Sequence, residues 1–256
     1  MEVINGEWYL EGVDWKDKSC LHSPEELLAL IEEVGFMPLF SNGIPGFSVE
    51  NRTCPDYWWT GDPKRDPWEW RAILARTGKV AYGKFFGNKA GFISKNWFPY
   101  FANYRRNGYD FDALYEEGKA GYREKLIMDL FMPEGIEPKA VKKGDLIANG
   151  CFEKLFTFEM KDKAGFGKGG EKNFDGTLAK LQMQSYLISS DFKPRLNKQG
   201  ESYGWAVAEM TMPEYLWGYK FVTGRYGETA GESWAKIAEH IIKLFDTDEK
   251  SVKKLI

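Results

Sequence analysis

Apolar side chains at Phe174, Leu178 and Leu181, with Tyr186 beyond them, recur at three- to five-residue spacing and turn Lys180 and Gln184 away from the buried stripe. That spacing predicts a helix over Phe174–Gln184. From Tyr186 the period shortens to two through Leu187, Ile188, Ser189 and Ser190, an extended run that ends at Phe192. A turn-rich link with Pro194, Asn197, Lys198, Gln199 and Gly200 follows, and Tyr203–Met210 alternates again as a returning strand. Helix, strand, basic loop and strand in this order form the second half of a winged helix, in which the helix enters a DNA groove and the hairpin holds the adjacent backbone. A helix packed on a hairpin in another α+β domain gives the same pattern. The loop tips the balance toward nucleic acid, because it carries Lys193, Arg195 and Lys198 with no acid between Lys193 and Gln199.

Elsewhere the pattern predicts shorter elements. Ser23-Pro24-Glu25-Glu26 is a helix start with an N-cap, a proline in the first turn and an acid for a capping box, and Gly35 stops the helix. Residues 36–53, with their prolines and turn residues, read as a loop crossing the surface. Asp66-Pro67-Trp68-Glu69 opens a second helix that runs to about Arg76. Two apolar runs flanking Gly87-Asn88-Lys89 predict a β-hairpin. Helices are expected over Trp97–Arg106, Asp110–Glu117 and 119–132, with a short piece around Pro138–Lys143. Phe152–Met160 fits helix and strand periods equally imperfectly, and the stretch 161–173 reads as a flexible link. Pro213 starts a short helix, and Ser233–Phe245 is a long amphipathic one with a helical tail after it. The fold class is α+β, divided near residue 118 into an aromatic-rich α+β domain, 1–118, and a winged-helix domain with C-terminal helices, 119–256.

Composition changes this picture in three places. Residues 57–111 hold 16 aromatic side chains, nearly twice the 16% of the whole chain, which either fill a bulky core or line a pocket for a flat ligand such as a nucleobase. The net charge of −3 confines any nucleic-acid site to a local patch. Residues 161–200 supply one, with eight Lys or Arg against four acids. Lys168, Lys172, Lys180, Lys193, Arg195 and Lys198 are its candidate DNA contacts. Third, the three cysteines, Cys20, Cys54 and Cys151, are odd in number and widely spaced, which suits a reducing interior better than a disulfide framework. With no long apolar run and no signal-like start, a cytoplasmic location is expected.

Catalytic motifs are sparse. His22 and His240 are more naturally structural, no ligand spacing suits a metal, and no cofactor is expected. Gly165–Gly170 lacks the Gly-Lys-Ser/Thr ending of a phosphate loop. What remains is Leu181-Gln182-Met183-Gln184 at the helix-to-strand junction. Placed before a wing, it resembles the Gln-apolar-Gln motif of the AlkZ/YcaQ group of winged-helix bacterial DNA glycosylases. The stretch from FDGTLAKLQMQ through NKQGESYGW to MPEY is similar to the short AlkZ-related proteins of that superfamily. The resemblance covers roughly residues 120–220. It implies DNA as partner, hydrolytic release of alkylated (N7-modified) bases as activity, and Gln182 and Gln184 as the catalytic pair. In the full-length enzymes the site is built from tandem winged helices and a further barrel domain, whereas here the motif lies late and one winged helix is evident. A regulator of the same fold that binds a small ligand or a protein is the alternative function, and a helix-end cap is the alternative role for either glutamine.

Overall fold

The computed structural model describes residues 2–4, 7–132, 150–195, 197 and 199–256. The expected helical piece around Pro138–Lys143, and Lys198 of the basic loop, lie outside these residues. The protein is α+β and divides into two compact units, one made of 1–101 with 231–256 and the other of 102–230. The boundary expected near 118 falls inside the second of these.

In the first unit a short ladder pairs β1 (Glu2–Ile4) with β2 (Glu7–Tyr9). Ser23 caps α1 (Pro24–Val34) through its hydroxyl, and Gly35 at φ 86° ends it. The Glu26 carboxylate accepts from the His22 backbone, one residue earlier than a capping box would have it. Asp66 caps α2 (Pro67–Arg76) and also takes the backbone N–H groups of Trp59 and Gly61, so this buried acid ties the preceding turn to the helix. Three antiparallel strands stand in the order β3 (Phe36–Pro38), β5 (Lys89–Ser94), β4 (Val80–Phe86). Gly87 and Asn88, both at positive φ, form the two-residue turn that this strand twist favours.

Residues 36–53 do not form a surface loop. They begin with β3, and Leu39, Ile44, Phe47, Val49 and Glu50 are buried. Their backbone polar groups are satisfied internally. Val49 and Glu50 donate to Pro38 and Leu39 carbonyls, and the Glu50 carboxylate accepts from the Glu11 and Ser41 N–H groups at 2.9 and 2.8 Å. Nine of the 16 aromatic side chains in 57–111 are buried; eight of them, including Trp70, Phe85, Phe92 and Phe101, fill this unit's interior, and Phe111 belongs to the core of the second. His240 of α10 (Ala230–Phe245) stacks on Trp97 and donates to the Val34 carbonyl, a structural role. Asp248 caps the last helix, α11 (Glu249–Leu255).

The second unit starts within α3 (Phe98–Arg106) and continues through α4 (Phe111–Glu116) and α5 (Tyr122–Met128), the last shorter than the 119–132 expected. The ambiguous stretch 152–160 is both things in turn: β6 (Lys154–Phe156) passes directly into α6 (Thr157–Lys163). The glycine-rich link that follows is a hydrogen-bonded turn, with Gly167 donating to Glu171 and Glu171 to Gly165. After it come α7 (Phe174–Met183), β7 (Ile188–Lys193), β8 (Val207–Thr211), α8 (Pro213–Trp217) and α9 (Tyr219–Val222). The strands are antiparallel in the order β7, β8, β6. The returning strand starts at Val207 rather than Tyr203: residues 200–205 are exposed, and their contacts back to Arg195 and Asn197, such as the Tyr203 N–H to the Arg195 carbonyl at 2.9 Å, do not extend the ladder. Phe174, Leu178, Leu181 and Tyr186 pack with Phe131, Met160 and Met210 in this unit's core.

Candidate nucleic-acid interface and the glutamine corner

Helix α7 ends in a tight reversal. The Ser185 N–H donates to Gln182 and the Tyr186 N–H to Leu181, at 2.8 and 3.0 Å, the paired bonds of a Schellman ending. That ending needs a left-handed residue, usually glycine, yet Ser185 holds it at φ 65°. A side chain in this region costs on the order of 1–3 kcal/mol, and Arg106 compensates. Its Nη2 donates to the Ser185 carbonyl at 2.7 Å and its Nε to the Ser185 hydroxyl at 3.2 Å.

The same guanidinium donates through Nη1 to Glu214 and, at 3.3 Å, to the Tyr226 hydroxyl, while the Tyr186 ring lies 4.5 Å from its centre. Tyr186 and Tyr226 both donate to the Tyr109 carbonyl. The Arg106 side chain is 1% exposed and that of Glu214 is 9%. Burial by itself pulls the guanidinium down, but Glu214, Tyr226 and Tyr186 together hold it above its ordinary pKa. Burial pushes both tyrosines up, so they stay neutral well into alkaline pH.

Two oxygens beside this network are buried and have no hydrogen-bond partner among the described residues: Oε1 of Gln184 and Oε2 of Glu214. Orphaned acceptors of this kind are uncommon in folded proteins, and a working role is one of the explanations such a group admits. Gln184 is half-buried, and Gln182 is 6% exposed.

The basic candidates separate into groups. Lys193 and Arg195, at the end of β7 and just past Pro194, line a cleft of about 680 Å³ with Lys161 and the rings of Phe156, Phe158 and Tyr203. Lys180 is elsewhere and bonded to the Glu124 carboxylate at 3.0 Å. Lys168 and Lys172 are exposed, in and after the glycine turn. The outward positions of α7 are Asp175, Gly176 and Lys180, a face with little to read a groove. Arg106, Glu214 and the aromatic lining of the cleft were not expected from sequence. Glu214 lies in the MPEY segment, and Phe156 and Phe158 lie in the ambiguous stretch. Among the described residues no cluster of His, Cys, Asp or Glu could hold a metal, and no helix is long and apolar enough to cross a membrane.

An α+β protein with a helix feeding a basic hairpin, and a buried charge network at the junction, is the class these features define. The sequence model of the family described as AlkZ related matches residues 21–256, and the chain belongs to that family. Membership points to DNA as partner and to a DNA-repair, glycosylase-like function. No curated protein and no solved structure matches the chain.

Proposed function

We propose that the chain binds duplex DNA through a winged helix formed by α5 to β8 and hydrolyses the glycosidic bond of N7-alkylated bases. The order helix, strand, helix, helix, strand, strand, with β8 between β7 and β6, supports the winged-helix reading. In it α7 meets a groove and the β7–β8 hairpin is the wing. The observation that carries the catalytic reading is the buried, unpartnered Oε1 of Gln184 at the end of that helix.

An amide neither takes nor gives a proton usefully near neutral pH. Its oxygen can accept a hydrogen bond from a water and present the negative end of its dipole to a developing oxocarbenium sugar. That suffices only for a base already primed to leave, such as a purine made cationic at N7. The base must also be brought out of the stack, and the basic hairpin is the part suited to hold the opened backbone. Of the motif, Gln184 takes the catalytic role in this reading, because it is half-buried whereas Gln182 is 6% exposed. Gln182, buried two residues earlier, supports the helix end. Lys193 and Arg195 contact phosphates, with Lys168 and Lys172 beside α7.

The test is release of labelled 7-methylguanine from a methylated duplex by the purified chain, with undamaged bases left in place. No release above background removes the catalytic reading. The burial of Gln182 and the plain outward face of α7 then favour the alternative, a non-enzymatic winged-helix regulator.

A further inference from the structure

We infer that the cleft at the foot of the β7–β8 hairpin is a subsite for one unpaired nucleotide of a DNA strand, its base laid on Phe158 and its phosphate on Lys193 and Arg195. The inference rests on the DNA-binding reading and adds to it a preference for strands with a base out of the stack.

The rings come first. Phe156 and Phe158 lie nearly parallel, at 7° with centroids 5.8 Å apart, and the Lys193 ammonium sits 4.9 Å from the Phe156 ring centre. Phe156 is therefore occupied by neighbours. Phe158 is 59% exposed, with no second ring against it among the described residues, and Tyr203 in the same cleft is 53% exposed. One exposed ring on a surface means little. Two rings facing a single cleft, beside cations, give a nucleobase a hydrophobic face to stack on.

Charge supplies the second half. None of Lys161, Lys193 and Arg195 is paired with an acid among the described residues, whereas Arg123, Lys125, Lys154 and Lys180 of the same unit are all in ion pairs. Asp175 is the one acid lining the cleft. It disfavours a second phosphate and suits the exocyclic amine of a base, which carboxylates accept from. The volume, about 680 Å³, is within the ordinary range for small-ligand sites, roughly 300–1,000 Å³. A base inside an intact duplex has both faces covered by its neighbours. Only a base at a bulge, gap, strand end or flipped position can offer a face to Phe158. An acidic peptide would meet the cations but leave the rings bare.

The experiment measures affinity of the full chain, by fluorescence anisotropy at fixed salt, for an intact duplex, the same duplex with a one-base bulge, and a short single strand. Wild type is expected to bind the bulged duplex and the single strand more tightly than the intact duplex. Phe158→Ala should weaken those two by roughly 5- to 150-fold, the worth of one stacked base, and leave intact-duplex affinity unchanged. Phe158→Trp should restore them. If wild type binds duplex but shows no preference, or Phe158→Ala changes nothing, the subsite is wrong and the DNA-binding reading stands. If wild type binds no DNA, that reading fails and the subsite with it. Binding of deoxynucleoside monophosphates as tight as that of the strand would overturn the assignment to a strand in favour of a free nucleotide.

Discussion

Arg106 and Arg195 belong to the same compact unit, and only one of them has been taken out of water. Every guanidinium nitrogen of Arg106 is engaged, by Ser185, Glu214 and Tyr226, and its side chain is 1% exposed. Arg195 is exposed at the lip of an aromatic cleft and has no acid partner among the described residues. The contrast separates two uses of a cation. A desolvated one, fixed on several partners, sets geometry: it holds Ser185 in a conformation that serine adopts rarely, and so fixes where Gln184 lies. A hydrated one is available to a phosphate, and on binding it releases counterions condensed on the DNA. The glutamine corner is therefore expected to govern folding and chemistry, and the hairpin cleft affinity.

The largest effect should come from breaking the corner. Arg106→Met leaves the Glu214 carboxylate buried without its partner and the Ser185 turn without its support. Losing one member of a buried pair typically costs about 3–5 kcal/mol. Urea denaturation of the variant should show a loss of that order. The double variant Arg106→Met with Glu214→Gln should recover part of it, since no stranded charge remains. A single variant as stable as wild type would mean the network does not hold the corner. Gln184→Ala sharpens the same side of the comparison. Because its Oε1 has no partner among the described residues, truncation should leave urea stability within about 1 kcal/mol of wild type. Base release should fall by roughly 10²–10³, the usual cost of removing one positioned group at a charge-developing centre, about 2.7–4 kcal/mol. Equal release by wild type and variant would make this glutamine structural.

How much of this was legible follows from sequence distance. The Phe174 helix, the first strand after it and the Gly87-Asn88 turn are local patterns found where their period or turn residues put them, while the returning strand begins at Val207, four residues later than its alternation suggests. Arg106 was not legible, because its partners Ser185, Glu214 and Tyr226 are 79, 108 and 120 residues away and nothing in the spacing links them. The Phe156–Phe158 pair was hidden differently. The stretch around it fits two periods because it is two elements, and the change from strand to helix between Phe156 and Thr157 brings the two rings parallel. Residues 36–53 misled because turn-forming residues usually mark solvent. Here a buried Glu50 and Asn42 meet the backbone groups that water would otherwise have served.

On the open side, Lys193→Ala with Arg195→Ala should leave stability almost unchanged, since both side chains are exposed and neither is in an ion pair among the described residues. The readout is the slope of log affinity against log salt for duplex DNA. Each phosphate contact contributes about 0.9 to that slope, so the double variant should flatten it by up to roughly 1.8. An unchanged slope would remove the hairpin from the interface.

Lys180 supplies the smallest expected effect and the sharpest comparison with the hairpin. It stands on the outward face of α7, the helix that the proposed reading lays in a groove, but its ammonium is already held by Glu124 at 3.0 Å. Binding a phosphate there means giving up that partner, so the net gain is small. The pair itself is partly open, with side chains 46% and 10% exposed, and screening by solvent limits what it contributes to folding. Exposed pairs of this kind are worth about 0–1 kcal/mol. Lys180→Ala should therefore change urea stability by no more than that and move the salt slope far less than the Lys193 and Arg195 double variant does. Glu124→Gln refines the point: with the carboxylate neutralised, Lys180 becomes available, and duplex affinity should rise modestly at low salt. If Lys180→Ala instead flattens the slope as much as the hairpin variant, the face of α7 is the principal contact, and the division of labour between a geometry-setting corner and a phosphate-binding hairpin would have to be redrawn with the helix on the binding side.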